Sequence, residues 1–177
     1  MYNGLDIYKS SNYIIHRCGE GDINKLVEIF NLKNRKSYLN HILNKNTHVR
    51  KLYLRDKLFN YAEEFYILED ISHNVLALIG LCDVSNIYIY KYNIDIIEQF
   101  ADFDINILIN FIDKCMENIK NEICKDCYKF NAHIESNNAK LNEFIIIMNE
   151  LSFKNVGYLK NEHGLDINEI IFERELI

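Results

Sequence analysis

In the stretch IEQFADFDINILINF, Ile97 to Phe111, two acids stand at the start of an amphipathic run. A helix N-terminus presents unpaired amides and the positive end of the macrodipole, so it attracts anions unless the chain's own carboxylates reach it first. Asp104 directly precedes Ile105 and the apolar stripe, which predicts an N-cap accepting from the amide of Asn106 or Ile107. Such a carboxylate complements the dipole by about 0.3–1 kcal/mol and takes up donors that an anionic ligand would need. Asp102 adds a second negative charge. A carboxylate about 5 Å from a phosphate charge is repelled by roughly 0.8 kcal/mol in water-like dielectric and about 3 kcal/mol at an effective value of 20. Two of them would weaken an anionic ligand by somewhere between about tenfold and about twenty-thousandfold.

The groups able to move a proton lie within and after this stretch. Glu98 is its second residue, and His133 and Glu135 follow in YKFNAHIE. Strand alternation puts Asn131, His133 and Glu135 on one face and Phe130, Ala132 and Ile134 on the other. Any of the three titratable groups would serve as a general base; the competing reading of His133 is an ordinary sheet histidine. Tyr88, Tyr90 and Tyr92 alternate in NIYIYKYN, either to shape a pocket and donate a proton or to pack within the sheet. Cys124 and Cys127 form a C-x-x-C pair within an odd set of five cysteines. A zinc site needs a second ligand pair, so reduced structural thiols are expected and no metal.

The elements that must position these groups follow from periodicity. YIIHR (Tyr13 to Arg17) reads as a strand, and INKLVEIFN as a helix with Ile23, Leu26, Val27 and Phe30 on one face and Asp22 as N-cap. A second short helix is expected around KSYLNHILNK. EEFYILED and NVLALIGLCDV flank a turn, and NIYIYKYN is a further strand. The helix after the acidic loop repeats Ile105, Leu108, Ile109, Ile112, Met116, Ile119 and Ile123. A strand over Tyr128 to Glu135, a helix over Asn138 to Leu151 and two closing strands, KNVGYLK and INEIIFEREL, complete the chain. The expected fold is α+β, a largely antiparallel sheet with helices on both faces.

At 177 residues the chain is long enough for one domain, read as an extension over residues 1–12 and a single domain over residues 13–177. A net charge of −6 argues against a general nucleic-acid binder, and the basic run HVRKLYLRDK (His48 to Lys57) reads as a solvated face. No segment has the apolar length of a membrane span, and the first residues lack a signal-peptide core, so a cytoplasmic protein is expected. Proline is absent while Asn and Ile are abundant, which reads as a genome-composition bias.

The order of elements, with several local patterns, resembles the GNAT superfamily of N-acetyltransferases across nearly the whole chain. YIIHRCGEGDINKLVEIF resembles the family's opening strand and helix, and VLALIGLCDV its third strand. HIESNN is similar to the family's V-x-x-x-N, placing Asn138 at the Asn, and MNELSFKNVGYLK resembles Y-x-x-x-G-F-x-x-x-G. The resemblance implies a GNAT-like sheet of six to seven strands. It implies acetyl-CoA in the splay between NIYIYKYN and YKFNAHIE, touched by Tyr92, Asn93, Ile94, Gln99, Asp102, Asp104 and Asn138. It further implies acetyl transfer to a primary amine, on a small molecule or a protein, by direct attack on the thioester. Glu98, His133 and Glu135 are then the candidate bases and Tyr90 a candidate acid; a homodimer is admitted.

Two departures from the family pattern bear on chemistry. The pyrophosphate loop Q/R-x-x-G-x-G/A is replaced by QFADFD, which keeps Gln99 but sets acids where small residues let the backbone approach phosphate. The family's Tyr general acid falls at Ile145 or Met148, neither of which donates a proton, and Ser152 replaces a Gly. A GNAT-fold binding or assembly module that has lost CoA binding is therefore the alternative reading.

Overall fold

Glu63–Asp70 and Val75–Asp83 are apolar on both faces, the pattern of strands covered from two sides. In the computed structural model, which describes residues 4–32, 36–39, 63–86, 88–162 and 164–176, they are β4 and β5, at the centre of the sheet. The remaining strands are β1 (Leu5–Lys9), β2 (Tyr13–Arg17), β3 (Lys36–Ser37), β6 (Lys91–Gln99), β7 (Lys129–Glu135), β8 (Lys154–Leu159) and β9 (Glu169–Glu175). Among the described residues they form one nine-stranded sheet in the order β1-β2-β4-β5-β6-β7-β9-β8, with β3 added to β6. Every pairing is antiparallel except β6 with β7.

Helix α1 (Ile23–Phe30) buries Ile23, Leu26, Ile29 and Phe30 against Phe65, Ile67, Leu78 and Ile96 on one face of the sheet. On the other face lie α2 (Ile105–Asn118) and α3 (Leu141–Glu150), whose Leu108, Phe111, Ile112, Phe144 and Ile147 join Tyr66, Leu68, Ile79, Tyr92 and Phe130. The α+β class with helices on both faces is as expected, and α2 is the crossover that a parallel β6–β7 pair requires. It ends in a widened π-type turn over Ile119–Ile123.

The structure differs from the sequence expectations in four places. The sheet has nine strands, not six to seven, partly because Leu5–Lys9 in the leading segment pairs with β2. The helix expected around KSYLNHILNK does not begin at Lys36: Lys36–Ser37 is a strand because the edge of β6 supplies its backbone partners. The rest of that run, from residue 40, and the basic run His48 to Lys57 lie outside the described residues. The strand read over Asn86 to Asn93 starts only at Lys91. Asn86 Oδ1 accepts from the amides of both Tyr88 and Ile89 at 2.9 Å, a local side-chain turn that competes with strand pairing. Finally, Asp22 sits at the N-cap position of α1 but makes no cap bond to it; its carboxylate accepts from the Gly19 amide at 2.8 Å.

Candidate functional site

The parallel pairing of β6 with β7 runs from Lys91–Lys129 to Ile94–Ala132 and stops. β6 continues to Gln99 and β7 to Glu135, so the two strands part, and the cleft between their C-terminal ends is filled by β3 and the buried Tyr38. The cause is local. Ile97 pairs with Ile79 and Ile96 with Gly80, but Leu81 then pairs with Ile94, which makes Asp95 the extra residue of a bulge. A bulge bends its strand and increases its twist, here where β7 leaves. Gly80 leaves room for close packing beside it: a Cβ there would lie 2.7 Å from Glu63 Oε1 and 3.2 Å from Ile96 Cβ.

The candidate residues distribute around this cleft. Ile94 closes its base, buried, and Tyr92 is in the core with its ring 6.1 Å from that of Phe130. Burial first, then the Asp83 charge, holds the Tyr92 phenol well above its ordinary range. Asn93 and Asn131 are Cα partners, and their side-chain oxygens are shielded from solvent with no donor among the described residues. His133 lies partly exposed on β7 with Nδ1 3.4 Å from Glu169 Oε1. Glu135 ends the same strand opposite Glu169. The alternation along β7 is as read, with Phe130, Ala132 and Ile134 buried and Asn131, His133 and Glu135 intermediate.

Glu98 is buried and accepts from Ser37 Oγ at 2.9 Å. The three tyrosines do not share a strand face: Tyr88 is 84% and Tyr90 47% exposed in the turn before β6, while Tyr92 is 3% exposed. Ile145 and Met148 lie on α3, Met148 fully buried and Ile145 packed against the core.

The acidic loop takes the form its chemistry suggests. Asp104 caps α2, its Oδ1 accepting from the Asn106 amide and from Asn106 Nδ2, both at 2.9 Å. Asp102 meets Lys36 Nζ at 2.6 Å; that bond and charge hold its carboxyl below the ordinary carboxylate range, and the Lys140 charge lowers it further. Lys140 also donates to Glu143 Oε1 at 2.6 Å. Two lysines thus stand among the acids and offset much of the repulsion expected from the sequence.

Sequence reasoning did not single out Lys36, Ser37 and Tyr38 as site residues. Tyr38 donates its hydroxyl to Gln99 Oε1 at 2.9 Å and to Glu143 Oε2 at 3.2 Å. Its carbonyl accepts from Asn138 Nδ2 at 3.1 Å, and Asn138 Oδ1 accepts from the Lys140 amide at 2.7 Å. Gln99 and Asn138, read separately as cofactor contacts, are joined through this one tyrosine. No sequence signal pointed to it, because its partners are far away along the chain. The C-x-x-C thiols lie apart from these residues, after the π-type turn; Cys127 is pushed up to about 11 by burial, then by Cys124.

In three dimensions the chain is similar to the spermidine N-acetyltransferase of Vibrio cholerae in complex with CoA and spermine. The identity is 14% over 94% of this chain and 96% of that one, with a TM-score of 0.69. The ribosomal-protein-S5-alanine acetyltransferase of Vibrio fischeri aligns at 10% identity over 95% of each chain, TM-score 0.67. A dodecameric spermidine N-acetyltransferase of Vibrio cholerae in an intermediate state aligns at 15% identity over 94% and 95%, TM-score 0.65. No family model and no curated protein matches the sequence. At these identities the likeness is one of fold, and the fold is that of the GNAT acetyltransferases.

Proposed function

We propose that this chain is an acyl-CoA-dependent N-acetyltransferase that takes a primary amine as acceptor, with the cofactor in the cleft between β6 and β7. The observation that carries this reading is the bulge at Asp95 and the parting of the strands after Ile94–Ala132, within a fold shared with an acetyltransferase observed with CoA and spermine. The cleft fits a long polar ligand in part. Asn93 and Asn131, partners just before the strands part, carry side-chain oxygens with no donor among the described residues, Asn138 stands at its mouth, and Lys140 brings positive charge for a diphosphate. The start of α2 does not contribute in the usual way, because Asp104 already holds the Asn106 amide.

Acetyl-CoA supplies the activated acyl group. The chain's own part is to position the amine against it, to polarise the acyl oxygen from the β6 edge near Asp95, and to take a proton from the ammonium. His133 suits the proton transfer, because it is partly exposed and Glu169 at 3.4 Å stabilises the imidazolium it would form. Glu98 suits it less, being buried and hydrogen-bonded to Ser37. The acidic face formed by Glu135, Glu169 and Glu173 on β7 and β9 favours a cationic acceptor, and a polyamine such as spermidine is the first to assay.

The test is titration with acetyl-CoA, followed by thiol release with spermidine, spermine and simpler amines. Acetyl-CoA at tenfold its Kd stabilises the fold by about 1.4 kcal/mol, and His133→Ala lowers kcat while leaving CoA binding in place. Absence of a melting shift at millimolar CoA refutes the reading. The alternative, a binding module without acyl transfer, is favoured by one observation: the Asp104 cap fills the α2 N-terminus.

A further inference from the structure

We propose that Lys36–Leu39 is a strap that occupies the mouth of the cleft, so that acyl-CoA enters only as the strap leaves β6. This rests on the reading that the cofactor lies between β6 and β7. Where β7 departs, the edge of β6 would lack a partner, and β3 takes its place: Lys36 pairs with Gln99 and Ser37 with Glu98, and the Tyr38 amide donates to Ile97 O at 3.0 Å. Between the last β7 pairing at Ile94 and this contact at Ile97 lie only Asp95 and Ile96. An extended ligand running along β6 towards its C-terminal end therefore meets β3 after two residues.

The side chains of the strap close the rest of the mouth. Lys36 reaches Asp102 in the loop, Ser37 reaches Glu98, and the Tyr38 hydroxyl bridges Gln99 on β6 to Glu143 on α3. The Tyr38 carbonyl holds Asn138 on the loop after β7. Tyr38 and Leu39 are 2% and 3% exposed and belong to the apolar cluster that includes Leu108, Ile134 and Phe144. Gln99, Asp102 and Asn138 are three of the seven residues that the resemblance assigns to the cofactor, and each is already engaged by the strap. The links are few: a two-residue pairing, one exposed ion pair from Lys36 to Asp102, the buried or part-buried hydrogen bonds of Ser37 and Tyr38, and one aromatic anchor. Release returns to a ligand the β6 edge, the Gln99 Oε1 acceptor and the Asn138 Nδ2 donor.

When only a fraction of molecules is open, the apparent Kd exceeds the intrinsic Kd by the reciprocal of that fraction. Removing the anchor should therefore tighten binding. The experiment compares wild type, Tyr38→Phe and Tyr38→Ala by calorimetry with CoA, and follows hydrogen exchange of the Tyr38 amide in the wild type as CoA is added. The expected result is at least tenfold tighter CoA binding in Tyr38→Ala, a smaller gain in Tyr38→Phe, and faster exchange at Tyr38 on saturation while the protein as a whole becomes more stable. The wild-type exchange readout stands even if Tyr38→Ala does not fold. Equal affinities with Tyr38 protection undiminished by CoA overturn the strap and leave the acetyltransferase reading intact. CoA binding to neither wild type nor variants overturns that reading, and the strap as its gate falls with it.

Discussion

Replacing Asp104 with glycine tests whether the acidic loop sets the affinity for an anionic cofactor. The carboxylate caps α2 through the Asn106 amide at 2.9 Å, so it acts on binding in two ways: it repels phosphate and it occupies a donor. Repulsion at about 5 Å amounts to roughly 0.8 kcal/mol in water-like surroundings and about 3 kcal/mol at an effective dielectric of 20, or about fourfold to about 150-fold in Kd. Asp104 is exposed, which places it near the water-like limit. The neighbouring Asp102 is already paired with Lys36 and adds little. The expected outcome of Asp104→Gly is thus a gain in CoA affinity of about fourfold to tenfold, shrinking as salt is raised, since screening acts over about 8 Å at physiological ionic strength. Calorimetry at two salt concentrations measures it. Stability should barely change with glycine, whereas Asp104→Ala should cost about 0.5–2 kcal/mol through the lost cap. If Asp104→Ala melts lower as stated but neither variant binds CoA more tightly, the cap is structural only and the electrostatic argument is wrong.

Ser152 adopts φ 63° at the C-terminal end of α3, a left-handed conformation that favours glycine. Ser152→Gly should stabilise the fold by about 1 kcal/mol, a rise of about 2–4 °C in Tm; an unchanged Tm contradicts the strain assigned to this residue. Arg17 grips Glu64 with Nε–Oε2 at 2.9 Å and Nη2–Oε1 at 3.0 Å, both side chains buried between β2 and β4. Arg17→Met alone should cost about 3–5 kcal/mol and adding Glu64→Leu should restore much of it; denaturant unfolding of the two variants checks the sign of the second step. Glu143 is held below the ordinary carboxylate range by Lys140 first and also by the Tyr38 hydroxyl, as Asp102 is by Lys36. A depressed pKa contributes stability that is present above the unfolded value and lost as pH falls through the folded one. Tyr38 amide protection, normalised to an unstructured amide, should therefore fall below about pH 4, ahead of the β4 and β5 amides. Protection that holds down to global acid unfolding contradicts the coupling.

Local chemistry made several features legible before any coordinates. The apolar stripe from Ile105 and the acid just before it specify a capped helix, and Asp104 caps α2 as that pattern requires. Alternation in YKFNAHIE separates core from polar face because successive strand side chains point opposite ways, and the resemblance supplied the fold class that the comparisons bear out. One failure is local. Asn86 ends the reading of a strand at Tyr88 because a side-chain oxygen competes for backbone amides, an effect that a count of β-formers does not include.

By itself, then, the sequence determined elements whose partners lie within a few residues: the amphipathic helix from Ile105 with its Asp104 cap, and the alternation of faces along β7. The tertiary structure alone decided where β6 and β7 part, and what fills the space they leave. The parting depends on a bulge defined by registry with Gly80, and the filling depends on Tyr38 meeting Gln99, Asn138 and Glu143 across separations of 61, 100 and 105 residues. A periodic reading of Lys36 to Lys45 sees an apolar face suited to a helix. It cannot see that a strand edge elsewhere has lost its neighbour and offers backbone hydrogen bonds to Lys36, Ser37 and Tyr38.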